Sequence, residues 1–330
     1  MRKYAIGIDI GGSKCAVILG SICCEENNEN FEILERNSFG TNDFNGPDQV
    51  IHKMIELIHE LLRKNKLSND QILGIGISCG GPLDHVKGII KNPPNLYGWD
   101  DIPIVKMMED EFHIPAYIQN DANACALAEW KMGAARGYQN VIFLTYGTGL
   151  GAGLILNGQI YNGANDMAGE VGHVRMTENG PVGYGKAGSF EGYCSGSGIA
   201  QVARAKVLEK LQMGEKTSIC PSLEQLDKLT AKSVADAARE GDPLALDIYA
   251  TSGYYLGLGL SMLIDILNPE VIVIRSIYER SGDLLSETMY QMIEKEALEI
   301  SRKVCKILPA QLGDSIGDYA ALSVAVHGRN

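Results

Sequence analysis

Two carboxylates close apolar runs in this chain, Asp9 at the end of YAIGID and Asp121 at the end of AYIQND. Asp9 is followed by Gly11, Gly12, Ser13 and Lys14 and then a second apolar run, the pattern of two strands joined by a tight hairpin. The glycines are expected to supply positive φ there, where other residues would be strained. Asp9 then stands at a strand tip beside backbone N–H groups that can approach a phosphate. It cannot ligate the phosphate, but it can hold a magnesium ion that rides on one. The stretch VIFLTYGTGLGAG repeats the plan, with Thr145 in the acid's place and Gly147, Thr148 and Gly149 in the turn. Internal repetition of this kind suggests two half-sites closing on one polyphosphate. Asp121 opens the stretch DANACALAEWKMG and is expected to cap that helix.

The hydrophobic pattern supplies the elements that must position these residues. Residues 31–39 read as a strand after a polar turn at 25–30. Residues 48–64 have helical periodicity, with Ile51, Met54, Ile55, Ile58, Leu61 and Leu62 on one face. Residues 72–78 form a buried strand running into Gly80-Gly81-Pro82. The prolines of KNPPNLYGWDDIP forbid regular structure, so Asn95, Trp99 and two acids are expected on a surface loop. A helix at 105–112 and a strand at 116–119 lead to Asn120 and Asp121. In the second half, helices are expected at 198–211, 231–240, 242–267, 284–300 and 319–326, with a polar linker at 213–226 and a buried strand at 268–274.

A chain of 330 residues fits two domains, each able to bury a core. The net charge of −12, with no basic block, argues against nucleic acid or an anionic membrane as partner. Anionic substrates must then be met by local N–H groups and magnesium. No apolar run is expected to span a membrane. The chain opens directly into its first strand, so neither a targeting segment nor a DNA-binding head is expected. Eight scattered cysteines read as reduced, mostly buried thiols, and the expectation is a cytoplasmic protein.

Taken together, DIGGSK, GGP at 80–82, NPPNLYGWDDIP, NDANACALAEW, TYGTGLGAG, GEVGH at 169–173 and the C-terminal GDYAAL resemble the ROK family of sugar kinases and sugar-responsive repressors. The resemblance covers nearly the whole chain. It implies an α/β, actin-like ATPase (ribonuclease H-like) fold, two α/β domains with an interdomain cleft. The first would cover 1–120, completed by a C-terminal helix at about 312–330, and the second 121–311. It also implies phosphoryl transfer from ATP, with Mg²⁺, to a hexose hydroxyl, and a homodimer. Glucose is the leading substrate and an N-acetylhexosamine the runner-up. Asp121 falls where the family places its general base and Asn120 beside it as a sugar ligand. Gly81, Asn95, Glu170, His173 and Glu191 fall among the sugar-site positions. Asp9, Gly11, Gly12, Ser13, Lys14, Thr145, Gly147, Thr148 and Gly149 fall on the phosphate segments. The chemistry is coherent, because a sugar hydroxyl is a poor nucleophile and a carboxylate can take its proton as phosphorus is attacked.

The sequence departs from the family pattern in two places. Where relatives carry zinc-binding cysteines, this chain has Val182, Tyr184 and Ser189, with Cys194 alone nearby. Valine offers no zinc ligand, so no structural zinc is expected, and His173 keeps only a sugar-contact role. Where relatives pass a glycine pair close to adenosine, this chain has Arg275 and Ser276, and the arginine is expected to stack on the adenine. Two other classes are a catalytically idle sugar-binding regulator and a chaperone- or actin-like ATPase.

Overall fold

The computed structural model describes residues 3–25 and 28–328, with the side chains of 23–25 and 28–30 outside the description. The chain begins with β1 (Lys3–Ile10), β2 (Lys14–Glu25), β3 (Asn28–Gly40), α1 (Pro47–Asn65), β4 (Ile72–Cys79), β5 (Leu83–Asp84) and β6 (Ile89–Ile90). There follow α2 (Ile104–Phe112), β7 (Ala116–Asn120), α3 (Asp121–Met132), β8 (Val141–Leu144), β9 (Ala152–Leu156), β10 (Gln159–Ile160), β11 (Val182–Gly183) and β12 (Lys186–Ala187). The rest is largely helical: α4 (Phe190–Tyr193), α5 (Gly196–Gln212), α6 (Ala231–Arg239), α7 (Pro243–Leu267), β13 (Val271–Ile274), α8 (Ile277–Glu296), α9 (Glu299–Arg302), β14 (Lys306–Pro309) and α10 (Ile316–His327). Two compact units result. One holds Met1–Gln139, Gly153–Ala168 and Gln311–Asn330, the other Asn140–Ala152 and Gly169–Ala310. The first unit therefore runs past the expected boundary at 120, because α3 packs against α10 and β7 and stays with that sheet.

The first unit is built on a five-stranded sheet in the order β3-β2-β1-β4-β7. Strand alternation decides its two faces. Ile6, Ile8 and Ile10 of β1 pack with the buried face of α1 and with Trp99, Met108 and Phe112. Ala5 belongs to the opposite face, which α10 covers with Leu322 and Ala325. That helix lies in a trough made by glycines. A β-carbon on Gly76 would stand 2.1 Å from the carbonyl oxygen of Ala321 and from the backbone nitrogen of Ala325, and one on Gly74 2.4 Å from the carbonyl oxygen of Ala325. Arg36 Nε ties α10 down through both oxygens of Asp318, each at 2.9 Å. Glu129 of α3 is fully buried, and Oε1 accepts the N–H groups of Gln311 and Leu312, both at 2.9 Å. Its Oε2 accepts the N–H of Ala134 at 2.7 Å, so three backbone donors satisfy a carboxylate that would otherwise be costly to bury.

In the second unit β8, β13 and β14 run parallel, and α7 packs chiefly with α8, with α5, α6 and α9 around it. Gly253, Gly257 and Gly259 of α7 face Leu285, Met289 and Phe190 at distances that exclude a side chain.

Several expectations change. Trp99 is buried in the core at 2% exposure, because an indole is too large an apolar surface to leave in water, whereas Tyr97 is 99% exposed. The helix expected at 284–300 begins at Ile277 and breaks into α8 and α9. α7 is, by length and composition, long and apolar enough to cross a membrane, contrary to expectation, but its buried side serves the core of the second unit. The polar turn expected at 25–30 has its tip, residues 26 and 27, outside the described residues. Cys15, Cys79, Cys125, Cys194 and Cys220 are buried free thiols and Cys305 is half-buried, whereas the side chains of Cys23 and Cys24 lie outside the description.

Candidate active site

Strand pleating places Asp9 on the α10 face of β1, at the end where the strand leaves the sheet. A β-carbon on Gly317 of α10 would lie 3.0 Å from Asp9 Oδ2, so the helix starts against that carboxylate. In the following turn the Gly11 N–H donates to the Lys14 carbonyl at 3.1 Å, and Thr41 Oγ1 donates to the Gly11 carbonyl at 2.6 Å. Neither Gly11 nor Gly12 has positive φ, which corrects the expectation. Crowding is the reason for glycine. A β-carbon on Gly12 would meet the Asn95 carbonyl oxygen at 2.5 Å, and one on Gly11 the Lys14 carbonyl oxygen at 2.9 Å. Ser13 and Lys14 are exposed beside this turn.

Asn95 and Asn120, which the resemblance assigns to the sugar, lie close to Gly80 and Gly81. A β-carbon on Gly80 would lie 3.7 Å from the Asn95 amide, and one on Gly81 3.2 Å from Asn120 Nδ2. Asn120, not Asp121, caps α3, its side chain accepting the Ala122 N–H at 2.9 Å. The correction is one residue, and it has chemical weight. Asp121 is the first helical residue, with Oδ1 accepting the same Ala122 N–H at 2.8 Å and Oδ2 without a protein partner among the described residues. Its side chain reaches solvent, yet the protein around it desolvates the carboxylate and raises its pKa above the ordinary value. The N–H groups of Ala122 and of Asp121 itself work against that rise.

The second unit gathers its own set. Thr145 closes a turn with Gly151, donating its N–H to the Gly151 carbonyl at 3.0 Å and accepting the Gly151 N–H on Oγ1 at 3.0 Å. Glu191, in the first turn of α4, accepts the Leu150 N–H on Oε2 at 2.9 Å. Gly149 must be glycine here, since a β-carbon would stand 2.7 Å from that same oxygen. Gly172 presses on the Leu150 carbonyl, which brings Glu170 and His173, both exposed, alongside Glu191. Gly147 and Thr148 receive donors from α5, the Gly196 N–H at 2.7 Å and Ser197 Oγ at 2.8 Å.

Hydrogen bonds shape the loop at 174–189. Tyr184 and Gly185 both have positive φ, as a two-residue hairpin between β11 and β12 requires. Arg175 Nη1 donates to the carbonyls of Ala187 (2.9 Å) and Glu178 (3.2 Å), and Gln201 clamps Val182 through both its backbone N–H and its carbonyl. Among the described residues no cluster of three or more His, Cys, Asp or Glu could hold a metal ion.

A cavity of about 690 Å³ opens beside Gly147 and Thr148, lined also by Gly196, Ser197, Ser276 and Arg280 among others. Ser276 holds φ +65°, a conformation glycine adopts freely, and its Oγ accepts a hydrogen bond from Arg280 Nη2 at 2.9 Å. The Arg275 N–H donates to the Leu144 carbonyl at 3.0 Å, and its side chain is not among those lining the cavity. Arg280 belongs to none of the sequence motifs, since it lies one helical turn beyond Ser276.

A model of the ROK family matches residues 5–327. A glucokinase of Halalkalibacterium halodurans is 31% identical over 317 residues, 96% of this chain and 92% of its own length. A xylose repressor of Bacillus spizizenii is 27% identical over 328 residues, covering 98% of this chain and 77% of the repressor. The crystal structure of a ROK family glucokinase from Streptomyces griseus in complex with glucose and AMPPNP has a TM-score of 0.71 at 26% identity, over 98% of this chain and 99% of that one. The fold is the actin-like ATPase fold of ROK kinases.

Proposed function

The chain belongs to the ROK family, and we propose that within it this protein is an ATP-dependent hexose kinase that phosphorylates glucose at its 6-hydroxyl. Asp121 carries the reading: a carboxylate at a strand–helix junction whose capping duty has passed to Asn120, with one oxygen open and a pKa raised toward the working range of a base. Asn95, Asn120, the backbone of Gly81, Glu170, His173 and Glu191 are the proposed contacts to the sugar. Amides and carboxylates suit a ligand whose every hydroxyl both donates and accepts. Asp121 takes the proton of the 6-hydroxyl as its oxygen attacks the terminal phosphorus. The turns at Gly11–Lys14 and Thr145–Gly149 offer backbone N–H groups to the phosphates. The cavity beside Gly147 is of a size for a nucleoside, and Arg204, Arg239 and Arg280 line it, whereas Arg275 does not. Asp9 would hold Mg²⁺ through water, and the ion would neutralise phosphate charge when bound. The likeness to glucokinases, one of them complexed with glucose and AMPPNP, supports the assignment. A cytoplasmic homodimer completes it. The exposed apolar residues of α7, Tyr254, Met262 and Ile266, offer one surface for the second copy.

Purified protein should release ADP with glucose only when Mg²⁺ is present, and 6-deoxyglucose should bind without turnover, since it lacks the attacking hydroxyl. Preference for N-acetylglucosamine or N-acetylmannosamine by more than about tenfold in kcat/KM would move the assignment to an N-acetylhexosamine kinase.

The likeness to a xylose repressor favours a second reading, a sugar-binding regulator without turnover. Calorimetry with AMPPNP separates the two. The native chain should bind, and Arg275→Gly should change Kd by less than about threefold, because Arg275 does not line the cavity. Binding gained only in the glycine variant would mean that the arginine blocks the site and that the regulator reading holds.

A further inference from the structure

A chain of polar side chains in the first unit, buried at Gln119 and Asn123 and half-buried at Asn162, His85 and Asp166, takes no part in the roles above. Asp166 accepts both the backbone N–H of His85, at 2.9 Å, and its ring Nδ1–H. Asn162 Nδ2 donates to His85 Nε2 at 3.2 Å. Asn123 Nδ2 donates to Asn162 Oδ1 at 3.0 Å and to Gln119 Oε1 at 3.3 Å. Gln119 Oε1 also accepts the backbone N–H of Asn120 at 3.0 Å, and Asn120 is the cap of α3.

The direction of this chain is fixed from both ends. A backbone N–H can only donate, so Gln119 must present its oxygen to Asn120. Asn123 must then offer Nδ2 to Gln119 and to Asn162, Asn162 must offer its own Nδ2 to the ring, and His85 Nε2 must be unprotonated. At the far end Asp166 accepts only, which puts the ring proton on Nδ1. Both ends demand the same neutral tautomer. Asn123 is 2% exposed, and with both Nδ2 hydrogens used its Oδ1 has no partner. A fold that leaves a buried carbonyl orphaned to keep two donors aligned has a use for the alignment.

We propose that His85 is a positioning residue for the proposed reaction. As the Nδ1–H tautomer it sets the direction of an amide relay through Asn162, Asn123 and Gln119. The relay holds the Asn120 N–H and, one residue on, the carboxylate of Asp121. The catalytic part of this inference rests on Asp121 being the base.

Two variants test it on the whole chain, His85→Leu, which removes the acceptor, and His85→Gln, which restores one at the place of Nε2. Hydrogen exchange by NMR reads the relay without reference to activity. In His85→Leu the Asn120 amide should exchange at least about tenfold faster, with β1 and α10 unchanged. In His85→Gln it should keep most of its protection. Glucose turnover should follow, kcat falling about tenfold or more in the leucine variant at nearly native KM and recovering in the glutamine variant. Native exchange at Asn120 in His85→Leu overturns the relay. Faster exchange with native kcat, in a protein that Asp121→Asn inactivates, overturns the positioning role. Should Asp121→Asn keep full turnover, the base assignment has failed instead, and the exchange result still decides whether the relay orders the start of α3.

Discussion

Asp121→Asn should fold as the native chain does, bind glucose with nearly native affinity and lose turnover by ~10²–10⁴-fold, the range for a missing general base. The amide keeps the shape and the acceptor oxygen that meets the Ala122 N–H, but it cannot take a proton. The pH profile gives a second reading. The protein around Asp121 raises its pKa, so kcat/KM should fall on acidification with a midpoint above the ~3.9 of a free aspartate. The stability effect has the opposite sense. A carboxyl whose folded pKa is raised lends stability below its unfolded pKa, and that contribution is lost as pH rises through the folded value. At neutral pH the ionised group is therefore a burden, and Asp121→Asn should melt no lower than the native chain. Full kcat in this variant, or a fall in Tm at pH 7, would sink the assignment.

Gly76→Ala should be the most damaging conservative change far from the chemistry. Its β-carbon would stand 2.1 Å from two backbone atoms of α10, and neither can rotate away as a side chain would. Overpacking of this kind costs about 1–3 kcal/mol or more, a fall in Tm of roughly 2–12 °C for a unit of this size. Activity should drop with it, because α10 begins against Asp9. Gly282→Ala is the control. The nearest neighbours of its β-carbon are Tyr278 ring atoms at 3.6–3.7 Å, ordinary contact, and the helix gains from alanine. Differential scanning calorimetry of both variants decides the matter, and an unshifted Gly76→Ala would show that the trough is softer than its geometry.

Local chemistry made part of this molecule readable from its sequence. Asp9 and Asp121 stand out because each is an acid that ends an apolar run, and the periodicity of α1 marks a buried face. Reading stops where long-range packing decides. Gly76 looks like any glycine in a strand until α10, some 240 residues later, is laid on it. The polar pair Asn120-Asp121 marks the start of a helix but not which residue caps it. His85 and Asp166 meet across 81 positions and belong to no motif. Arg280 hides one turn inside α8, whereas Arg275, which occupies the motif position, turns out to lie off the cavity.

The seat of α10 has a consequence for how the chain is made. Strands β1 to β4 leave the ribosome early, but the helix that covers Gly7, Gly74 and Gly76 follows the whole of the second unit. At synthesis rates of about 5–20 residues per second, the half-covered sheet waits roughly ten to fifty seconds for its lid. During that interval the apolar floor of the trough faces solvent, while the second unit, contiguous apart from one short excursion, is free to fold first. A nascent chain arrested just before Gln311 would thus be the form for a chaperone to hold, and release would coincide with the emergence of the last helix.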